Sequence, residues 1–272
     1  MRYGIGWGGQ HTRNNQQGEW GHCMQSAFSR IQAVIQQRGA GFVLLLDPDK
    51  TSLTTLPETI VQACDAGVDI FFLGGSFLFH NNFDDFVRTV KAAAGEQPVI
   101  LFPGSMYQLS SHADAVLYLS LISSRNPEHL IGTQVLAAPL VWKLGLEAIS
   151  CGYMIIESGK LTSAQFLSNS SPIPRNKPDI ALAHALAAQY LGMQTVYLEA
   201  GSGAELSVPE DMIRRLAQHV EVPIIVGGGI RSPEQAAAKV QAGARLVVVG
   251  NFFEEKANTH LINEFASAIH QK

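Results

Sequence analysis

The sequence predicts a single α/β domain, a (β/α)8 TIM barrel, on three observations. Eight short apolar runs recur from Gly41 onward, most segments between them are amphipathic, and the runs stop at residues rich in glycine and carboxylates. Near-continuous apolar runs, unlike strict alternation, suit strands buried on both faces, as in a parallel sheet. An open doubly wound sheet is the alternative. It is disfavoured because no G-x-G-x-x-G fingerprint follows a first strand.

The elements follow in order. Residues 1–23 are rich in Gly, Gln, Asn and Arg, with neither periodicity nor an apolar leader, and read as a flexible or loosely docked arm. Residues 24–272 then form the barrel domain. From Met24, Phe28, Ile31 and Ile35 recur at helical spacing. Strands are expected over 41–48, 69–76, 98–105, 115–121, 150–158, 194–201, 222–229 and 245–251. Helices are expected over 54–66, 83–94, 126–144, 179–191, 209–220, 233–242 and 259–270. Two announce their starts, because Ser207-Val-Pro-Glu-Asp and Ser232-Pro-Glu-Gln place a capping hydroxyl before a proline and an acidic first turn. The segment 106–114 is too short for a barrel helix, so one crossover, the third barrel helix, should be degenerate. Residues 163–177 (SAQFLSNSSPIPRNK) read as a polar surface loop.

Composition narrows the function classes. The chain of 272 residues is 46% hydrophobic and 15% charged, which excludes disorder over most of its length. With 19 basic and 23 acidic residues the formal charge is 19 − 23 = −4, and no basic run suggests nucleic acid as a partner. No apolar run approaches the roughly 18 residues of a membrane span, so no stable membrane insertion is expected. Cys23, Cys64 and Cys151 match neither a disulfide framework nor a zinc signature and suit a reducing cytoplasm. The nine histidines form no H-x-x-x-H pair.

In such a barrel the chemistry belongs at the carboxyl ends of the strands. The sixth, seventh and eighth runs end in Gly201-Ser202-Gly203, Gly227-Gly228-Gly229 and Gly250-Asn251. Glycines there let backbone N–H groups approach an anion, and the next helix N-terminus adds a favourable dipole. One cluster alone reads equally well as a turn; three on consecutive strands point to a phosphate grip. Asp47 and Ser76, at the ends of the first and second runs, offer hard oxygens suited to Mg2+. The alternatives are a turn cap for Asp47 in D-P-D-K and ordinary loop chemistry for Ser76. Asp49 and Lys50 read as turn and surface residues, with Lys50 also able to attract a diphosphate. Tyr197 and Glu199, two apart on one strand, share a side. If that side is the lumen, a phenol and a catalytic carboxylate stand beside the phosphate grip; otherwise they are a structural pair. Glu157 offers a weaker second carboxylate or a strand-end cap.

The motifs LLLDPDK (44–50), FFLGGS (71–76), SRNPEHLIG (124–132), GYMIIESGK (152–160), YLEAGSGA (197–204), VGGGIRSPE (226–234) and VVVGN (247–251) together resemble the geranylgeranylglyceryl phosphate synthase family and its sister branch, the heptaprenylglyceryl phosphate synthases. The resemblance runs from about Gly41 to Asn251. It implies a TIM barrel that joins sn-glycerol 1-phosphate to a prenyl diphosphate, most often geranylgeranyl, through an ether bond with Mg2+ as cofactor. It also implies the lack of the third barrel helix. Carried over by residue, it assigns the metal to Asp47 and Ser76. Glycerol phosphate goes to Tyr197, Leu198, Glu199, Ala200, Gly201, Ser202 and Gly203, with Gly228, Gly229, Gly250 and Asn251 on the phosphate, and Glu199 and Tyr197 serve catalysis. One departure stands out: Leu45 occupies a position where some members carry a lysine, while Lys50 follows the acidic motif.

The prenyl chain is expected along some of Phe77, Leu78, Leu117, Tyr118 and Leu119. Apolar surface over 136–146 (LAAPLVWKLGL) suits a homo-oligomer. Two rival readings remain open. A sugar-phosphate lyase or isomerase would keep the glycine clusters without needing Asp47, Ser76 or an apolar channel. A non-catalytic phosphate-binding barrel would need no carboxylate beside the phosphate.

Overall fold

The computed structural model describes residues 26–271 except 81 and 255, so the arm over 1–23 lies outside the described residues. The strands are β1 (Gly41–Leu46), β2 (Ile70–Leu73), β3 (Val99–Leu101), β4 (Ala115–Leu121), β5 (Glu147–Ile155), β6 (Thr195–Glu199), β7 (Ile224–Gly227) and β8 (Leu246–Val249). All neighbours pair in parallel, and β1 against β8, from Gly41↔Leu246 to Leu44↔Val249, closes the barrel.

The helices are α1 (Ala27–Arg38), α2 (Leu56–Asp65), α3 (Phe83–Ala93), α4 (Thr133–Leu144), α5 (Ser163–Ser168), α6 (Pro178–Tyr190), α7 (Glu210–Ala217), α8 (Pro233–Ala242), α9 (Asn251–Glu254) and α10 (Ile262–Ile269). No described helix separates β3 from β4, as the short 106–114 segment predicts. Most strands stop before their apolar runs do. Pairing on β1 ends at Leu46, on β2 at Leu73 and on β3 at Leu101, which releases Asp47-Pro48-Asp49, Gly74-Gly75-Ser76 and Pro103-Gly104-Ser105 into loops. Proline has no N–H for a ladder and glycine favours turns, so sequence accounts for these exits.

Three expectations need correction. The stretch 163–177 is not wholly loop: it contains the short helix α5, and Ile173 bridges Ile156 at the end of β5. Its polar composition hides a turn whose Ser168 is buried and donates to the Ala164 carbonyl. The helix expected over 126–144 starts as a π-helical turn, Glu128–Gly132, before α4, and the one over 259–270 is a 3-10 turn, Lys256–Leu261, before α10.

Two packed regions hold the fold. Alternate strand residues, including Val43, Phe72, Ile100, Leu117, Cys151, Ile225 and Val248, fill the lumen, while the others pack outward against the helices. The fully buried Cys151 thiol is pushed up to about 12 by burial, which makes it unreactive packing. The N-terminal mouth is stoppered by α1, whose Ala27 and Ile31 join the lumen cluster, with Phe28 and Ile35 packed beside them. Glu147 caps this plug, accepting from Ala27 N at 2.6 Å and Phe28 N at 3.2 Å, where a carboxylate meets the positive end of the helix.

Candidate active site

With one mouth plugged, the opposite mouth opens into a cavity of about 970 Å3 at the carboxyl ends of the strands. A single space is lined by Asp47 and Ser76 from the β1 and β2 ends, and by Glu199, Gly201, Gly228 and Gly250 from the β6, β7 and β8 ends. Because β1 pairs with both β2 and β8, these two sets are adjacent arcs of one rim.

At the inner end, Tyr197 and Glu199 share a side, as their spacing predicts, and that side faces the lumen. Tyr197 is fully buried and stacks on Phe102 with ring centroids 5.3 Å apart and 8° between planes; Tyr153 from β5 completes the cluster, 5.2 Å from Tyr197 and 6.0 Å from Phe102. This aromatic layer forms the floor. Glu199, only 6% exposed, accepts a short hydrogen bond from Gly201 N. Burial raises its pKa above the ordinary value, and the Gly201 amide only partly opposes that rise. Burial and the nearby Glu199 charge hold both tyrosines well above their usual range, so they are neutral donors. The Tyr197 hydroxyl lies in the field of Glu199 without meeting hydrogen-bond geometry, and is one of the buried polar atoms left unpartnered. An unsatisfied buried hydroxyl beneath an open cavity is a place for a ligand oxygen.

Glycine is required here by close approach. A Cβ on Gly227 would stand 2.2 Å from the Tyr197 hydroxyl oxygen. One on Gly228, at φ +86°, would stand 2.6 Å from both Glu199 Oε1 and Gly201 N. Gly201, Ser202, Gly203, Gly228, Gly229 and Gly250 all line the cavity. Asn251 heads α9; its side chain lies outside what the structure describes. Leu198 and Ala200 do not line the cavity. They alternate with Tyr197 and Glu199, are fully buried among the outward-packed residues, and contribute through the ladder, with Ala200 N donating to Gly227 O at 3.0 Å. Glu157 also lies elsewhere, lining a smaller groove with Lys160 and accepting from Arg175 N at 3.3 Å.

At the β1–β2 arc, Asp47 is half-buried and accepts from Asp49 N at 3.0 Å, with Lys50 Nζ 3.4 Å from its other oxygen. Lys50 lines the cavity, and so does the apolar Leu45. One carboxylate and one hydroxyl, Ser76, fit a Mg2+ that draws the rest of its shell from water and substrate oxygens. Among the described residues no group of three His, Cys, Asp or Glu gathers to cage an ion.

Sequence reasoning missed several contributors. Asp49 is not simply a turn residue: its carboxylate accepts from Phe79 N at 2.8 Å and His80 N at 3.2 Å, clamping the β2–α3 loop. Burial opposes its ionised form, but the Phe79 amide and the His80 contacts outweigh that and hold its pKa below the ordinary value. Arg231 lines the cavity and ties down the β6–α7 loop, donating to Ala204 O at 2.6 Å and Glu205 O at 3.2 Å. Tyr153 could have been found by alternation with Cys151; Asp49 and Arg231 carry no such signal, since their partners lie about thirty residues away in sequence.

The apolar arm of the cavity is lined by Phe77, Met106, Leu117, Leu119, Leu136 and Val141, with Tyr118 donating to the Gln134 carbonyl. Of the chain-binding residues expected from sequence, Leu78 is absent from this wall and packs against the outer core.

Comparison with known proteins agrees with this geometry. The pattern of the PcrB family matches residues 32–269. The geranylgeranylglyceryl phosphate synthase of Chitinophaga pinensis is 48% identical over 229 residues, 84% of this chain and 90% of that protein. The synthase of the same name from Thermococcus kodakarensis is 45% identical over 222 residues, 81% and 87% of the two chains. The crystal structure of (S)-3-O-geranylgeranylglyceryl phosphate synthase from Thermoplasma acidophilum in complex with sn-glycerol-1-phosphate superposes with a TM-score of 0.86 at 33% identity, covering 92% of this chain and all of that one.

Proposed function

The chain belongs to the PcrB family, and from that premise we propose that it joins the 3-hydroxyl of sn-glycerol 1-phosphate to a long-chain prenyl diphosphate, with geranylgeranyl diphosphate as the expected donor. It is a prenyltransferase of the geranylgeranylglyceryl phosphate synthase type. The observation that carries the reading is the single cavity in which an apolar arm, a carboxylate–hydroxyl rim and a glycine-rich rim meet over Glu199. A sugar-phosphate lyase would have no use for the arm, and a binding barrel none for a buried carboxylate of raised pKa.

The reaction breaks the bond between the allylic C1 and the diphosphate oxygen, and the diphosphate departs with the electron pair. The 3-hydroxyl oxygen forms the ether bond to C1 and releases its proton. Backbone N–H groups of Gly228–Gly229 and Gly250–Asn251 hold the glycerol phosphate's anionic end. Glu199, raised by burial, orients the hydroxyl and accepts its proton, while the neutral Tyr197 hydroxyl donates to a glycerol oxygen. Mg2+, held through Asp47 and Ser76, would neutralise charge developing on the departing diphosphate. Lys50, beside Asp47, supplies the protein cation at that end in place of a lysine at Leu45. The apolar arm keeps water from the electron-poor carbon.

Asp47→Asn tests the metal assignment. Mg2+-dependent turnover should collapse while glycerol phosphate affinity, held at the β6–β8 ends, stays within about twofold; normal turnover would return Asp47 to the role of a turn residue. No helix of the described residues is long and apolar enough to cross a membrane. Cys64 and Cys151 are unpaired thiols, which supports a reducing, cytoplasmic setting.

A further inference from the structure

The connection that replaces the third barrel helix buries two polar side chains, Gln108 and Ser110. The Gln108 carboxamide is saturated. Oε1 accepts from Gly75 N and Gly104 N, both at 3.1 Å, and Nε2 donates to Gly75 O at 2.8 Å and Phe77 O at 3.4 Å. Gln108 thus exchanges hydrogen bonds in both directions with Gly75, as a neighbouring strand would, and extends the hold to Gly104 and Phe77. The contact is close: a Cβ on Gly104 would lie 2.3 Å from Gly75 O. On its far side Gly75 abuts the rim carboxylate, since a Cβ there would meet Asp47 Oδ1 at 2.9 Å and Oδ2 at 3.1 Å. The connection is itself anchored. Ser110 Oγ donates to Asp84 Oδ1 at 2.5 Å, and His112 Nε2 lies 3.4 Å from Asp84 Oδ2 on α3.

We propose that Gln108 is a positioning residue for the diphosphate end of the site, setting where Gly75 and Ser76 stand relative to Asp47. It touches neither substrate and acts through the Gly74–Phe77 backbone, at one end of a loop that Asp49 clamps at the other through Phe79 and His80. This explains why the helix-less crossover is an asset. A barrel helix would pack outward on β3 and β4, whereas an irregular segment can fold back over the strand ends and place a carboxamide between two loops. The inference rests on the proposed diphosphate reading and narrows it.

The test uses Gln108→Met, close in size and unable to make any of the four bonds. The KM for geranylgeranyl diphosphate, and the calorimetric Kd for inorganic diphosphate with Mg2+, should rise roughly 10- to 100-fold, the usual range for residues that orient ligands. The KM for glycerol phosphate should move by less than about twofold. Hydrogen exchange should speed up in peptides covering 74–79 and stay unchanged over 201–206. Parallel loss of affinity for both substrates, with faster exchange in both loops, would mean a merely structural role and overturn the inference. Unchanged diphosphate affinity would overturn it as well. If the variant does not fold, the wild-type protein decides, because the Gly75 and Gly104 amides should exchange slowly, and exchange at the rate of open loop amides would refute the clamp. Loss of diphosphate binding in Asp47→Asn but not in Gln108→Met removes this inference alone. No loss in either removes the reading beneath it.

Discussion

Glu199 shows what a residue-level argument can and cannot reach. That it shares a side with Tyr197 follows from the two-residue period of β6 and was legible in the sequence; that this side is the lumen was not. The same period turns Leu198 and Ala200 outward, so a motif carried over as a continuous block includes residues whose side chains pack away from the cavity. The raised pKa was not legible, because it comes from burial beside an aromatic floor whose rings belong to β5, β6 and the residue after β3. Glu199→Gln keeps the shape and loses the basicity. It should lower kcat by roughly 10²–10⁴ with little change in the prenyl diphosphate KM. A group whose folded pKa is raised must lose its proton before it can serve as base. The wild-type kcat should therefore fall on the acid side with a midpoint above that of an ordinary glutamate, and the variant should lose that limb. Near-normal kcat in Glu199→Gln would leave positioning, and no protein base, as the source of rate.

Among the elements, the eight strands and most helices were legible because buried parallel strands and amphipathic helices have different periods. The plug helix α1 was legible as a helix but not as a plug, since its carboxylate cap at Glu147 lies 120 residues away. The bottom of the barrel is also tied by Asp114, which accepts from Lys91 Nζ at 2.7 Å and Val99 N at 2.8 Å and pairs with Arg30 of α1 at 2.9 Å. Burial would raise this carboxyl, but the Lys91, Val99 and Arg30 contacts outweigh it and hold the pKa below the ordinary value. A depressed folded pKa stabilises above the unfolded pKa, and that contribution is lost as pH falls through the folded value. Asp114→Asn should cost about 2 kcal/mol near neutrality, the scale of hydrogen bonds to a charged group at a partly exposed site. The gap between wild type and variant in urea unfolding should narrow below about pH 4. A gap independent of pH would show that Asp114 contributes packing and no charge.

At the scale of the whole molecule, strand count, parallel closure and the missing helix between β3 and β4 agree with the sequence reading. The cavity's size and its junction of apolar and polar rims emerge only on closure, when residues from all eight strand ends and from α4 converge. The outer side of α4 adds a surface consequence. Leu140 and Trp142 are exposed and do not line the cavity, Trp142 at 84%, and this apolar surface supports the proposal of a homo-oligomer. Light scattering at micromolar protein should give at least twice the chain's 29.4 kDa, and Trp142→Glu should lower that mass; a monomer in the wild type would contradict the proposal. The central claim is that one cavity brings glycerol phosphate and a long allylic diphosphate together for ether formation. Its most direct test is to incubate the purified protein with Mg2+, sn-glycerol 1-phosphate and radiolabelled geranylgeranyl diphosphate, and to extract for lipid. The account predicts a labelled, acid-stable geranylgeranylglyceryl phosphate, formed in equal amount to the diphosphate released and absent when glycerol phosphate is withheld; full turnover of both substrates with no such ether product, or no turnover by folded protein, would contradict it.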